Sequence, residues 1–511
     1  MARGLLALRS LCYLLGPMHL LSKSTYMRGR QCPKALWLYK HRRELMPPVD
    51  AARQAVYDTG TEVGVLAQQL FPGGVDCTPA TPYDFAPAIA ATQQAIASGA
   101  TVIYEAAFLH EGVLAALDIL VKDADGWKAY EVKSSASAKE YQWHDAALQA
   151  HVIEGSGIPL VDISIVHLNN GYVRQGPIDV RQLFAITSVK QLVDRERQDV
   201  PARIEALKAA LQRPEAPAVD IGPHCTAPFD CDFMHHCWAH VPQEGNVFQL
   251  TNARGTDWAL YRRGIVLLKD IPDEERLNPA QRRQVQGAKH GTSTLDRHSL
   301  GRWLRDLRYP LHHLDFETMM PAVPLFDGTR PFQQLPFQYS LHVQHAPGAE
   351  PEHRAFLADG LGDPREAFVQ HLLADIGPAG DVLAYNAPFE VARLKDLARD
   401  LPHYADALLA LLPRVKDLHT PFKSGWYVVP GMNGRTSIKV VLPALVPELS
   451  YSALAVQEGD TASRLFQQLL QGRYAGDPAQ LRTDLLAYCG LDTLAMVKLL
   501  GVLEREVRAE G

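Results

Sequence analysis

Apolar and polar positions alternate through "TVIYEAAF" (101–108), "VLAALDILVK" (113–122) and "WKAYEVKSS" (127–135), and this period of two predicts three strands. "ADG" between the second and third is a turn signal. Upstream, residues 22–46 read as a helix entry with a basic, aromatic face, and residues 51–70 as a helix ending at "FPGG". Downstream, residues 139–154 return to helical spacing, "LVDISIVHL" (160–168) is a further strand, and a charged helix is expected over roughly 186–212. This order of elements predicts an α/β sheet domain.

Residues 246–300 are polar and mostly helical in pattern, with Gln281, Gln284 and Gln286, and read as a connector. From Tyr309 a second α/β pattern begins. It contains "YPLHHLDFET", "FQYSLHVQ", a helix at 364–376, "DVLAYNA", a helix at 388–399 and a final helix near 480–504. No internal repeat or long low-complexity tract interrupts it. At 511 residues two or three domains are expected, and 47% hydrophobic with 21% charged residues is a globular composition. No apolar run is long enough to suggest a membrane span. A net charge of −6 leaves room for a local basic groove. The first 21 residues read as a leader, with Met18 as an alternative start. Seven cysteines, an odd number at uneven spacing, argue against a disulfide framework and for a reducing, cytoplasmic compartment. Cys12, Cys77 and Cys489 look isolated.

Asp118 stands thirteen residues before Glu131. On adjacent antiparallel strands that spacing brings the two carboxylates side by side, and alternation sends Glu131 and Lys133 to one face with Val132 into the core. Two carboxylates suit Mg²⁺ or Mn²⁺, and an ammonium beside them can orient a water for attack on a phosphate. A solvated hairpin with a surface Glu–Lys pair is the bland alternative. Glu105 lies on the preceding strand, and Gln149 sits on the following helix, from which a side chain can reach the same cleft. These residues resemble the PD-(D/E)XK nucleases, within them the RecB-like branch, which implies metal binding by Asp118 and Glu131 and a catalytic Lys133. Leu117 stands where that family has Pro, and Ile153 where the branch often has Tyr after Gln149.

"HCTAPFDCDFMHHCW" places Cys225, Cys231 and Cys237 with five residues between each pair, and Cys32 lies far upstream. One distant and three clustered thiolates can hold a 4Fe–4S cluster or zinc, with His224, His235 and His236 keeping zinc open. The layout resembles the iron–sulfur clasp of RecB-like nucleases, which favours 4Fe–4S. Such a clasp ties together the two ends of its domain.

"LHHLDFET" puts Asp315 and Glu317 on one strand face, "NAPFE" puts Glu390 at a helix start, and "YCGLD" puts Tyr488 and Asp492 four apart on a helix. Each has an innocent reading as a cap or solvated residue. Together, four carboxylates can hold two divalent ions for in-line attack on a phosphate. The set resembles the DEDD exonucleases of ribonuclease-H-like fold. That implies Asp315, Glu317, Glu390 and Asp492 as ligands and Tyr488 orienting the water, although Glu390 replaces the family's Asp. Asp417 in "VKDLHT" is a lesser candidate. "GRTSIKVVLPAL" (434–445), with Arg435 and Lys439 after Trp426 and Tyr427, suits a single strand or is a solvated loop.

The expectation is therefore a RecB-like domain (22–215), a cysteine clasp (216–245), a helical connector (246–305) and a ribonuclease-H-like domain (306–508). Their combination resembles an uncharacterised bacterial family fusing the two nuclease types. The implied activity is 3′–5′ exonuclease and PD-(D/E)XK cleavage of DNA or RNA, with nucleic acid as partner and no membrane. The rival expectation is a nucleic-acid-binding scaffold whose sites have decayed.

Overall fold

The computed structural model describes residues 21–81 and 84–509, so residues 1–20 of the expected leader, with Met18 and Cys12, lie outside the described residues, whereas its last residue, Leu21, is buried in a strand. The chain is α/β and divides into two compact units. One runs through Ala239 and includes Ala322–Phe332; the other comprises His240–Pro321 and the chain from Gln333 onward. The stretch expected as a separate connector belongs to the second unit.

The first unit holds a seven-stranded sheet: β1 (Leu21–Ser22), β2 (Val75–Asp76), β3 (Val102–His110), β4 (Val113–Lys122), β5 (Trp127–Lys133), β6 (Leu160–Leu168) and β7 (Phe184–Ser188). The order is β2-β3-β4-β5-β6-β7, with β1 pairing parallel to β4. A two-residue turn joins β3 to β4, and both of its residues, Glu111 (φ 47) and Gly112 (φ 71), are left-handed, the geometry that matches strand twist. β5 and β6 are parallel, so their connection must cross over, and helix Glu140–Gly155 does so. Its Leu148 and Val152 join Leu117 and Ile163 in one core; Val132 packs in a second core on the opposite face. The expected long helix is corrected. Residues 186–188 finish β7, and the remainder forms Lys190–Glu196 and Val200–Leu211. Pro201 lacks the N–H a continuous helix needs and instead sits in the first turn of a new one.

In the second unit, β8 (Thr294–Leu295) pairs with β14 (Tyr427–Val428) as a two-stranded ribbon. The main sheet contains β9 (Leu311–Met319), β10 (Leu335–Gln344), β11 (Glu352–Leu357), β12 (Asp381–Ala384) and β13 (Val415–Asp417), in the order β11-β10-β9-β12-β13. β10 is antiparallel to both neighbours, whereas β9, β12 and β13 are parallel. Every residue of β10 is buried, which explains its lack of alternation. Leu314, Phe316, Tyr339 and Leu341 pack on helices Arg365–Ile376 and Pro388–Asp400. The opposite face meets helix Pro478–Arg508, where Gln338 Nε2 donates to Leu485 O at 2.7 Å. Among the described residues this helix alone is long and apolar enough to cross a membrane, yet 61% of its apolar window is buried in the fold. Two of the connector's glutamines are buried: Gln281 donates to Thr251 O at 2.9 Å and Gln284 to Gln249 O at 2.7 Å, fastening a helix to a loop.

Candidate functional sites

In the first unit the register opposes Ile119 to Tyr130, which brings Asp118 beside the Glu131 segment, and Asp118 Oδ2 accepts the Val132 N–H at 2.6 Å. Glu105 adopts a left-handed φ of 51, an uncommon conformation for this residue type, at the break between the Tyr104–Ile119 and Ala106–Leu117 pairs. Glu131 is 1% exposed. Its Oε1 accepts from Lys133 Nζ and from Lys23 Nζ, each at 2.6 Å, and its Oε2 from Gln149 Nε2 at 2.8 Å. Gln149 therefore reaches the cleft. Lys133 Nζ also meets Asp145 Oδ2 at 3.0 Å, and Asp145 Oδ1 is buried without a hydrogen-bond partner.

These contacts separate the two carboxylates electrostatically. Burial and the charge of Glu131 push Asp118 up to about 7, against the two lysines. Burial also opposes ionisation of Glu131, but Lys133 and Lys23 outweigh it and hold Glu131 down at about 2. Lys23 and Asp145 are site residues the sequence reading missed. Asp145 carries a signal, because Asp145 and Gln149 are four apart and share a helical face. Lys23 carries none, being 108 residues from Glu131.

Cys32, Cys225, Cys231 and Cys237 line one small cavity of about 20 Å³. Burial raises the thiols of Cys32, Cys231 and Cys237, and their proximity to one another adds to it. None of the four forms a disulfide. His224 lines the same cavity, whereas His235 and His236 do not. The four thiols share this wall, but among the described residues no three of them form a group whose donor atoms lie within 4.8 Å of one another.

In the second unit Asp315 and Glu317 project from central strand β9 toward helix Pro478–Arg508, which carries Tyr488 and Asp492. Glu390 begins helix Pro388–Asp400. All five line one cleft of about 220 Å³. Asp492 Oδ1 accepts from Tyr451 Oη at 2.6 Å, and Glu390 Oε2 is buried with no hydrogen-bond partner. Burial, then the charges of Asp492, Glu317 and Glu390, raises Asp315 well above the usual range. Glu317 rises to about 8 through burial and Asp492, and Glu390 to about 8 through burial and Asp417. Asp492 reaches only about 6, because Tyr451 and Lys439 counter its burial. Carboxylates crowded in this way resist ionisation until a cation arrives.

Three readings change. Cys489 is not isolated: its Sγ lies 3.7 Å from Asp315 Oδ2, and the donors of Asp315, Glu317 and Cys489 all lie within 4.8 Å of one another. Asp417 organises the turn instead of lining the cleft; its Oδ1 accepts from Asn386 N at 3.0 Å and Ala387 N at 3.3 Å. The segment expected as a basic loop contains helix Ile438–Leu445, and Lys439 lies over the rings of Tyr451 (5.5 Å) and Tyr488 (5.2 Å), not those of Trp426 and Tyr427. Arg435 does not line the cleft.

Residues 312–437 match the family described as "Domain of unknown function (DUF2779)". That span includes Asp315, Glu317 and Glu390 and stops before Tyr488 and Asp492. The chain is also similar to the "Uncharacterized protein MG366 homolog" of Mycoplasma pneumoniae, with 28% identity over 203 residues, 36% of this chain and 31% of the relative. The chain thus spans about a third of the length of the curated relative it matches.

Proposed function

We propose that the protein is a metal-dependent nuclease with two separate sites. The observation that carries this reading is the convergence of Asp315, Glu317, Glu390 and Asp492 on one cleft, where burial opposes the ionisation of all four and neighbouring carboxylates add to it at Asp315 and Glu317. Such a set is suited to two Mg²⁺ or Mn²⁺ ions that polarise a phosphate and its attacking water. Tyr488 in the cleft is placed to orient that water, and Lys439 beside it to contact a phosphate. The strand order β11-β10-β9-β12-β13 with β10 reversed supports a ribonuclease-H-like fold, and the chemistry that goes with it is 3′–5′ exonuclease cleavage. Glu390, longer by a methylene than the expected Asp, still enters the cleft, which weakens the decayed-site reading there.

The first unit is the PD-(D/E)XK site of the same proposal. Asp118 and Glu131 would hold a metal, with Lys133 activating water. The clasp would carry a 4Fe–4S cluster on Cys32, Cys225, Cys231 and Cys237, consistent with a reducing, cytoplasmic setting. The scaffold alternative retains one supporting observation at this site, since Lys23 and Lys133 already neutralise Glu131.

The test is degradation of single strands labelled at either end, with Mg²⁺ or Mn²⁺. Removal of 3′-terminal nucleotides by the wild type and its loss in Asp492→Asn support the proposal. Unchanged 3′ removal in Asp492→Asn rejects the second site.

A further inference from the structure

A second group of donors lies in the first unit, apart from both carboxylate clefts. His110 ends β3, Glu111 begins the β3–β4 turn, and His151 sits on helix Glu140–Gly155. One donor atom from each lies within 4.8 Å of the other two. His110 Nε2 is 3.9 Å from Glu111 Oε1, and the two imidazoles meet edge to face with centroids 5.5 Å apart. His151 Nε2 is buried and has no hydrogen-bond partner. A buried imidazole nitrogen left unsatisfied costs free energy unless something binds it.

The helix is shaped for this approach. A Cβ on Gly155 would stand 2.2 Å from His110 Cδ2, so only glycine lets the imidazole lie against the helix end. The neighbouring cation Arg197 is engaged with Glu154 Oε2 at 2.7 Å. Lys208 Nζ holds the Glu111 carbonyl at 2.8 Å and so fixes the turn. Burial and His110 lower the pKa of His151, which keeps its ring neutral and able to ligate.

We propose that His110, Glu111 and His151 form a binding site for a divalent transition metal of the zinc class. Two imidazole nitrogens and one carboxylate suit Zn²⁺ and discriminate against Mg²⁺, which prefers oxygen. Ligand bonds of about 2.0–2.2 Å require the donors to close by roughly 1 Å, within reach of side-chain rotation. Three protein ligands leave a fourth position for water. The bound ion clamps the β3–β4 turn to the helix that carries Asp145 and Gln149.

The experiment uses the full chain, purified anaerobically, with excess Mg²⁺ present to occupy oxygen-rich sites. Zinc is titrated against a chromophoric competitor for the wild type, His151→Gln, His110→Gln and Glu111→Ala. Zinc taken by the cysteines is common to all four proteins and cancels in the comparison. The site predicts one zinc equivalent fewer in each histidine variant, and at least tenfold weaker binding of that equivalent in Glu111→Ala. Glu111 is exposed, so its variant remains informative if a histidine variant misfolds. Wild-type stoichiometry and affinity in the folded variants overturn the proposal.

Discussion

Glu131 receives two ammonium groups on one oxygen and an amide on the other, so its negative charge is over-compensated. Lys23 is the more dispensable cation, because Lys133 approaches Asp145 to 3.0 Å and Lys23 only to 4.0 Å. Lys23→Gln therefore removes one charge-assisted hydrogen bond, and thermal denaturation should show a loss of about 2 kcal/mol with the fold retained. A loss under a few tenths of a kcal/mol would mean that Lys23 is merely a solvated neighbour. Glu390 behaves oppositely, since its ionised form is opposed by burial and by Asp417. Metal-free Glu390→Gln should be more stable than the wild type at pH 8, by on the order of 1–3 kcal/mol, while losing 3′-directed cleavage. The alternating residues of β4, β5 and β9 made Asp118, Glu131, Asp315 and Glu317 legible in the sequence, because side-chain direction in a strand follows from parity. Lys23 and Tyr451 were not legible. Each reaches its carboxylate across 108 and 41 residues respectively, and no local period encodes such a contact.

At the scale of elements, the second sheet sets two pH dependences of opposite sign. Glu317 and Glu390 are raised to about 8, above an unfolded value of about 4.3, so over that interval the folded state binds more protons and stability falls as pH rises. His313 and His342 are lowered by burial to about 3 and about 4, below an unfolded value of about 6.5, so their contribution is lost as pH falls below 6.5. The histidines are silent above 6.5. Metal-free protein should therefore lose stability between pH 6.5 and 8, and saturating Mg²⁺ should flatten that slope, as read from denaturant midpoints. A metal-free stability that rises across this window would contradict the crowding of these carboxylates. Strands this regular were readable from their apolar pattern. The 186–212 segment was not, because a short edge strand and two short helices share the charged spacing of one long helix, and Pro201 was the decisive residue. The buried glutamines of Pro279–His290 mimic a solvated face for a related reason: their partners are loop carbonyls that no sequence period reveals.

At the scale of the whole molecule, four cysteines drawn from residues 32 to 237 line one cavity, so a cluster or zinc ion bound by them would close most of the first unit into a loop. Anaerobically purified protein should be brown and contain iron and sulfide in cluster ratio; stoichiometric zinc without iron would instead make the clasp a zinc site. The division into two α/β units was legible from the repeated change of hydrophobic period. The assignment of 246–305 to the second unit was not, because its helices carry a polar pattern around the small core of Val247, Leu260 and Val285. On the function proposed above, each unit carries its own metal-dependent site. Cleavage of single- and double-stranded DNA and RNA by the wild type, Asp118→Ala, Asp315→Ala and the double variant tests it most directly. Asp118→Ala should keep 3′-directed removal, Asp315→Ala should lose it but keep the other cleavage, and the double variant should be inert. Abolition of all cleavage by Asp118→Ala, with no change in Asp315→Ala, would contradict it.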